Sequence, residues 1–263
     1  MSDSNRAIIG IFIALVVIVA AAVGWWFLTR DDAPPPEVVE EPTPAPLPTP
    51  TPTLDERLSS RLAGTTLSSS DAIVRELAAG LSSNPKLAAW LVNEDLIRRF
   101  TASVDNIASG ISPQAHLEFL RPKAGFEVDK KSGGVFVIDP SSYRRYNLPA
   151  QVFASLDTEG SVALYRELKP LIDEAYAEIG PPDRRFDDRI EAAFDQLLAV
   201  PVLGSPARVN ELVVTYAWAD DELEGMSSAQ RHLLRMGPDN VSLIQGKLSE
   251  LRAALAAPVV TAD

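Results

Sequence analysis

The first 53 residues divide at Arg30 into an apolar half and a proline-rich half. Residues 7–28 contain no charged residue and no proline over 22 positions, and roughly 20 such residues in a helix cross the hydrocarbon core of a membrane. Trp25 and Trp26 stand at the end of this run, where aromatic rings favour the membrane interface. The pattern therefore predicts a transmembrane helix over residues 7–28, preceded by a short head over residues 1–6. A cleaved signal peptide, with Ala20 and Ala22 at the cleavage site, is the alternative.

Residues 29–53 predict an extended linker. Nine prolines fall among residues 33–53, and Glu37, Glu40 and Glu41 are the only charged residues there. Proline fixes φ and removes backbone donors, so this segment favours extended polyproline II at about 3.1 Å per residue. The interpretation is a stiff acidic spacer; a ligand for proline-binding modules is the alternative.

From residue 54 onward the apolar positions mostly follow a helical period. Residues 73, 77 and 81 share one face after Ser70, and residues 96, 100, 104 and 107 share another face after Asn93. Asn84 and Ser112 each precede a proline, which is typical of a cap followed by the first helical position. Further helices are predicted over residues 141–156, over 161–179 with an interruption at Pro170, and over 186–200.

Two segments instead have a strand period. The stretch GFEVDKKSGGVFVIDP carries β-rich runs on both sides of residues 131–134, which predicts a hairpin. Residues 209–218 predict one further strand with Leu212, Val214, Tyr216 and Trp218 on one face. The fold class that follows is mainly α with a small antiparallel β-sheet, an α+β domain over residues 54–257, with a disordered tail over residues 258–263.

The C-terminal helices meet at Gly237. A helix capped by Ser227 or Ser228 is predicted to reach Met236 and to end at Gly237, and Pro238 begins the next helix. That last helix places residues 241, 244, 248, 251 and 255 on one face. Packing on its own domain and a coiled-coil seam for a partner are both compatible with this spacing.

Three segments carry a resemblance to a known family. These are LYRELKPLIDEAYAEIG, RRFDDRIEAAFDQLLAVPV and RHLLRMGPDNVSLIQGKLSELRAAL, and the most specific piece is the joint at residues 234–238. Over residues 58–255 the chain resembles the bacterial family called domain of unknown function 3014. The resemblance implies an N-terminal membrane segment, a proline-rich arm and then the domain. It implies no activity, because none is assigned to the family.

Composition limits the chemistry. The chain has 263 residues, a net charge of −12 and no cysteine, which excludes disulfides, thiolate nucleophiles and a lipoprotein anchor. Residues 54–263 hold 22 of the 24 basic and 30 of the 36 acidic residues, so the domain is acidic too. That balance argues against nucleic acid as a partner.

No arrangement in the sequence predicts a catalytic, metal or cofactor site. His116 and His232 lack metal-ligand spacing, and they are interpreted as surface or capping histidines. The acids of residues 219–226 lack the spacing of a calcium loop and are interpreted as a solvated, capped turn.

Two candidate sites remain. Asp188, Glu191 and Asp195 share one helical face; they could serve a glycosidase, but the neighbouring arginines suit ordinary helix ion pairs. The compact aromatic–basic cluster could stack on a sugar or hold an anionic polymer, and it could equally be half-buried packing. This candidate binding cluster consists of Tyr143, Arg144, Arg145 and Tyr146.

The function expected is that of a membrane-anchored envelope protein without enzymatic activity, which binds or scaffolds an unknown envelope protein or polymer. A six-residue head is easiest to leave in the cytoplasm, so we expect a single-pass inner-membrane protein with a periplasmic domain. The alternatives are an envelope or cell-wall hydrolase that uses Asp188 and Glu191, and a cytoplasm-facing adaptor with inverted topology.

Overall fold

A computed structural model describes residues 54–258 of the chain, except residues 205 and 214, and omits the side chains of residues 54–56. Helices dominate this part, as predicted. They are α1 (Leu54–Leu62), α2 (Asp71–Ala79), α3 (Pro85–Trp90), α4 (Leu96–Ala108), α5 (Pro140–Arg144), α6 (Asn147–Ala154), α7 (Thr158–Ala177), α8 (Phe186–Leu198), α9 (Asp221–Glu224), α10 (Ser228–Leu234) and α11 (Pro238–Ala256). Short 3₁₀ turns cover Leu67–Ser69, Pro113–Ala115, Glu118–Leu120 and Ser132–Gly134.

Side-chain caps fix several helix starts. Asn84 accepts a hydrogen bond from the Lys86 N–H at 3.0 Å, and Ser227 forms a capping box with Gln230. Such a cap satisfies a backbone donor that has no partner within the helix. Ser70 begins α2 without a side-chain cap, because its hydroxyl donates backward to the Leu67 carbonyl at 2.8 Å.

The strands are β1 (Val128–Lys130), β2 (Phe136–Ile138), β3 (Arg208–Glu211) and β4 (Tyr216–Trp218), paired antiparallel in the order β1-β2-β3-β4. The predicted hairpin is confirmed, with Gly133 and Gly134 at positive φ in its turn. The single strand predicted over residues 209–218 is wrong. The chain reverses there, with the Leu212 N–H donating to the Thr215 carbonyl at 2.8 Å. Leu212 and Val213 are 53% and 100% exposed, so apolar turn residues imitated a continuous strand.

Two apolar clusters hold the domain together. One lies among α2, α4, α7 and α8, and its fully buried members include Phe186 and Ile172. The other lies between one face of the sheet and α10 and α11. Its sheet side comes from Ile138, Val209 and Trp218, which share that face because side chains alternate along a strand.

Helix α11 packs on α6, α7 and α8 of its own domain. Val241 is 1% exposed and Leu248 is 7% exposed, as expected for an amphipathic helix that serves the domain core. Its C-terminal end is held by Arg166, whose Nη2 donates to the Ala257 carbonyl at 3.0 Å. Cations near the last carbonyls of a helix stabilise it.

Three helix predictions need correction. The predicted interruption at Pro170 is wrong, because α7 runs through this residue without a break. Pro170 lies on the exposed side of α7, where the carbonyl left without an N–H partner can reach water. The helix predicted over residues 141–156 is instead α5 and α6, and Tyr146 stands between them. The helix predicted after Ser112 is reduced to two 3₁₀ turns.

The predicted membrane segment at residues 7–28 and the linker at residues 29–53 lie outside the described residues. Within residues 54–258, none of the helices combines the length and the apolar character that a membrane crossing requires.

Candidate aromatic and basic site

Tyr143 forms the base of the predicted cluster. Gly237 lies directly against its ring: a Cβ built on Gly237 would stand 2.4 Å from Tyr143 Cγ. Gly237 has φ 88° and ψ 161°, a conformation open to glycine. The Tyr143 hydroxyl accepts the Ala207 N–H at 3.3 Å, and its carbonyl accepts from Asn240 Nδ2 at 3.1 Å. Burial raises the pKa of Tyr143. Tyr143 therefore joins α5 to α11 and to the loop before β3.

Arg145 is held in one position by neutral groups. Its Nε donates to the Ser142 carbonyl and its Nη1 donates to the Ala124 carbonyl, both at 2.9 Å. Its guanidinium carbon lies 5.6 Å from the Phe126 ring centre and 5.4 Å from the Tyr146 ring centre. No carboxylate partners it within the part of the chain that the structure describes, so its charge is fixed in place but not neutralised.

Arg144 differs from Arg145. It is exposed at the end of α5, and its charge helps lower the pKa of Asp139. The hydrogen bond from the Ser141 side chain is the larger cause of that shift. Asp139 also caps α5, accepting the Ser141 N–H at 2.6 Å.

A second arginine, absent from the predicted cluster, lies near Trp218 of β4. Arg235 places its guanidinium carbon 5.9 Å from the Trp218 ring centre. It is half-buried and interacts electrostatically with Tyr146. Burial lowers the pKa of Arg235, and the charge of Arg231 adds to that effect. Among the described residues, the other half-buried arginines each donate to an oxygen, whereas Arg235 has no oxygen partner.

The nearest acid is occupied by other groups. Glu224 pairs with Arg231 at 3.0 Å and also accepts the Trp218 N–H at 2.8 Å. These two contacts fix the carboxylate at the edge of β4, and they explain why Arg235 is left unpaired. The Trp218 ring is buried, and its Nε1 has no hydrogen-bond partner.

Half-buried rings continue this site along the rim of the sheet. The rings of Phe126 and Tyr216 are 5.6 Å apart, and those of Phe136 and Tyr216 are 6.0 Å apart. Lys130 Nζ lies 5.4 Å from the Phe136 ring centre. We call the half-buried rings Phe126, Phe136, Tyr146 and Tyr216 the aromatic strip. Lys130 lies at one end of this strip, and Arg145 lies between Phe126 and Tyr146. Arg235 interacts electrostatically with Tyr146 at the other end.

The acidic candidates have a different environment. Glu191 and Asp195 both pair with Arg252, at 2.9 and 3.0 Å. Asp188 is exposed on the first turn of α8. Since one arginine binds two of the three carboxylates, the face predicted from the sequence is an ion-pair face.

Two shallow hollows adjoin this acidic face, between α7 and α8. One of about 340 Å³ is lined by Tyr165, Asp187 and Glu191, and one of about 210 Å³ lies beside Arg184 and Phe186. Burial raises the pKa of Asp187, but hydrogen bonds from Tyr165 and Arg185 outweigh burial, so the net shift is downward. A carboxylate held ionised in this way ties α7 to α8 and is a poor proton donor.

The two histidines lie far apart in the sequence. His232 Nδ1 lies 2.7 Å from the Ser112 hydroxyl, and burial, followed by the charge of Arg235, lowers its pKa. A serine–histidine pair would need an acid to orient the ring for nucleophilic catalysis, but its charged neighbour is an arginine. No group of metal-ligating side chains occurs among the described residues. In the acidic turn, Asp220 caps α9 by accepting the Glu222 N–H at 2.9 Å.

A known protein family matches the region that contains the joint between α10 and α11. A family model described as "Protein of unknown function (DUF3014)" matches residues 96–252, more than half of the chain. The chain belongs to this family. The matched DUF3014 region contains the aromatic strip, Arg145, Arg235 and the Gly237 joint. Neither the curated proteins nor the solved structures contain a match to the chain.

Proposed function

We propose that this DUF3014 protein is a membrane-anchored binding module of the bacterial envelope. In this proposal residues 7–28 anchor the chain in the inner membrane, and residues 29–53 hold the folded domain away from the membrane on the periplasmic side. The domain then presents its aromatic and basic site to an anionic envelope component. The apolar run and the proline-rich arm of the sequence support the anchoring; the site geometry supports the binding.

Arg145 is the observation that carries the binding role. Ordering a long arginine side chain costs roughly 2 kcal/mol of rotamer entropy. Here two carbonyls and two rings have already restricted the side chain, and its remaining N–H groups have no carboxylate to bind. A positive charge fixed before the ligand arrives lowers the cost of binding an anion.

The hydrolase alternative receives less support. It requires two carboxylates that converge on a cleft, one of them protonated. Glu191 is instead paired with Arg252, and Asp188 is exposed. A binding role needs no such pair, and it uses the cation that is left without a counterion.

The binding role is tested with the full-length chain in detergent, mixed with the insoluble polymer fraction of the envelope and sedimented. We expect salt-sensitive co-sedimentation that Arg145→Gln weakens about tenfold or more, since a hydrogen bond to a charged group contributes roughly 1.5–3 kcal/mol. Arg61→Gln is the matched control, because Arg61 is an exposed arginine in an ion pair with Glu76. Equal sedimentation of both variants and the parent chain would refute the proposed role.

The periplasmic orientation is tested separately with a reporter fused to the C-terminus. A reporter that is active only in the periplasm should be active in this fusion. Activity only from a cytoplasmic reporter would instead identify a cytoplasm-facing adaptor. Either result leaves the sedimentation test interpretable.

A further inference from the structure

We propose that the ligand of this site is a carboxylate-bearing glycan, and that Arg235 binds its carboxylate while the aromatic strip contacts its sugar rings. The proposal rests on the proposed binding function and names the class of ligand. Arg235 lies outside the sequence cluster around Arg145 and supplies a second cation. Unlike Arg145, it donates no hydrogen bond to an oxygen of the described residues.

Arg235 offers a complete guanidinium fork. Its guanidinium carbon lies 5.9 Å from the Trp218 ring centre, and a cation–π contact at this distance leaves the N–H groups of a guanidinium available for hydrogen bonds. None of these N–H groups donates to an oxygen of the described chain. Planar forks match carboxylate geometry with two parallel hydrogen bonds. The nearby Arg231 cannot play this part, because Glu224 already binds it.

The rings decide between a glycan and an acidic peptide. The aromatic strip is continuous from Phe136 through Tyr216 to Phe126, with ring centres 5.6–6.0 Å apart, and Arg145 links Phe126 to Tyr146. Aromatic rings combine an apolar body with a polar tip, which suits the alternation of C–H surface and hydroxyl groups on a sugar. A row of rings of this length fits several successive sugar units better than a single side chain.

The charge of the molecule decides between a glycan and a densely charged polymer. The whole chain carries −12, so a nucleic acid or polyphosphate with one charge on each unit is repelled as it approaches. Lys130, Arg145 and Arg235 are separate positive points within this acidic molecule. They match a polymer whose negative charges are spaced out, with neutral surface between them.

The test measures binding of the full-length protein in detergent to a hyaluronan hexasaccharide, in which glucuronic acid alternates with neutral N-acetylglucosamine. A neutral chitin hexamer, polyphosphate and a polyglutamate peptide are compared at matched unit concentration. We expect the acidic sugar to bind best and the neutral sugar to bind at least tenfold more weakly. Arg235→Gln should lose about tenfold or more of the affinity for the acidic sugar. Arg208→Gln should bind like the parent chain, because Arg208 is exposed on the opposite face of the sheet.

Arg235→Lys keeps the positive charge but removes the planar fork. This variant is used in the binding measurement if Arg235→Gln does not fold. It should lose most of the affinity at an unchanged melting temperature. Full affinity in this variant would overturn the role of the fork.

Tighter binding of polyphosphate or polyglutamate, still dependent on Arg145, would overturn the glycan and leave the proposed function standing. Binding of none of these anions, together with an Arg145→Gln variant that behaves like the parent in sedimentation, would refute both.

Discussion

At the scale of single residues, the contact between Gly237 and Tyr143 sets the geometry of the candidate site. A methyl group on Gly237 would overlap the Tyr143 ring, at 2.4 Å from Cγ and 2.7 Å from Cβ. The positive φ of 88° adds backbone strain for any residue with a side chain. We therefore expect Gly237→Ala to lower the free energy of unfolding by more than about 2 kcal/mol, a large single-residue effect. Denaturant unfolding measures it.

Gly246→Ala is the control for this prediction. Gly246 lies inside α11 with nothing within 4 Å of its would-be Cβ. Alanine there should stabilise the domain by roughly 0.5–1 kcal/mol, because glycine is a poor helix former. If Gly237→Ala were as stable as the parent chain, α10 and α11 would not meet against Tyr143 as described.

His232 should make stability depend on pH in a defined window. It faces the Ser112 hydroxyl and the charge of Arg235, and its pKa lies below the ordinary value of about 6.5. At a pH between these two pKa values, His232 is protonated in the unfolded chain and neutral in the folded chain. The contribution of His232 to the free energy of unfolding is therefore fully present above about pH 6.5. It decreases as the pH drops below that value, by at most about 1.4 kcal/mol per pH unit.

Melting temperatures between pH 5 and 7.5 check this prediction against His232→Asn, whose amide can still bond to Ser112. The slope should be smaller in the variant. Carboxylates with lowered pKa values, such as Asp139 and Asp187, act below this window, where protonation removes their stabilising contacts. An identical slope in both chains would mean that His232 is not the titrating group.

At the scale of elements, α7 contains a proline that lowers the stability of the helix and that could be replaced. Pro170 lies inside this 20-residue helix, and proline in a helix interior costs roughly 3 kcal/mol through the missing N–H and a clash with the preceding turn. Replacement by alanine restores a donor but enlarges the unfolded ensemble, which offsets roughly 0.4–1 kcal/mol. Pro170→Ala should thus raise the free energy of unfolding by about 2–2.6 kcal/mol, measured with denaturant.

Pro85→Ala is the contrasting control. Pro85 is the first residue of α3, after the Asn84 cap, where the missing N–H would have no helical partner. We expect no gain in stability there. A loss of stability in Pro170→Ala would show that the proline serves the packing of α7.

The success of sequence reasoning also differs by element. Most of the helices, the caps of Asn84 and Ser227 and the hairpin at residues 131–134 follow from local chemistry, and the structure confirms them. The turn after Glu211 could not be predicted in this way, because its apolar residues keep the alternation of a strand. Arg235 was missed for another reason: it meets Trp218 only after α10 and the sheet pack together. Arg145 was found because its neighbours are adjacent in sequence.

At the scale of the whole molecule, the described domain contains what it needs for its own stability. Both apolar clusters draw on residues beyond residue 61, and α11 closes the domain against α6, α7 and α8. The site lies at the rim of the second cluster, so its rings belong partly to the core. Binding and folding are therefore coupled at Phe126, Phe136 and Tyr216, whereas Arg145 and Arg235 can be changed with less effect on the core.

Residues 54–263, expressed without the first 53 residues, should be soluble and should unfold in one cooperative transition. The physical reason is that the described residues 54–258 belong to one compact unit by their contacts, and a chain of about 210 residues buries enough apolar surface to fold alone. Circular dichroism and fluorescence should give coincident melting curves for the fragment, and its affinity for the hyaluronan hexasaccharide should equal that of the full-length chain in detergent. A fragment that is unfolded or aggregated, while the full-length chain melts cooperatively, would show that the first 53 residues contribute to the fold. In that case these residues would be more than an anchor and a spacer.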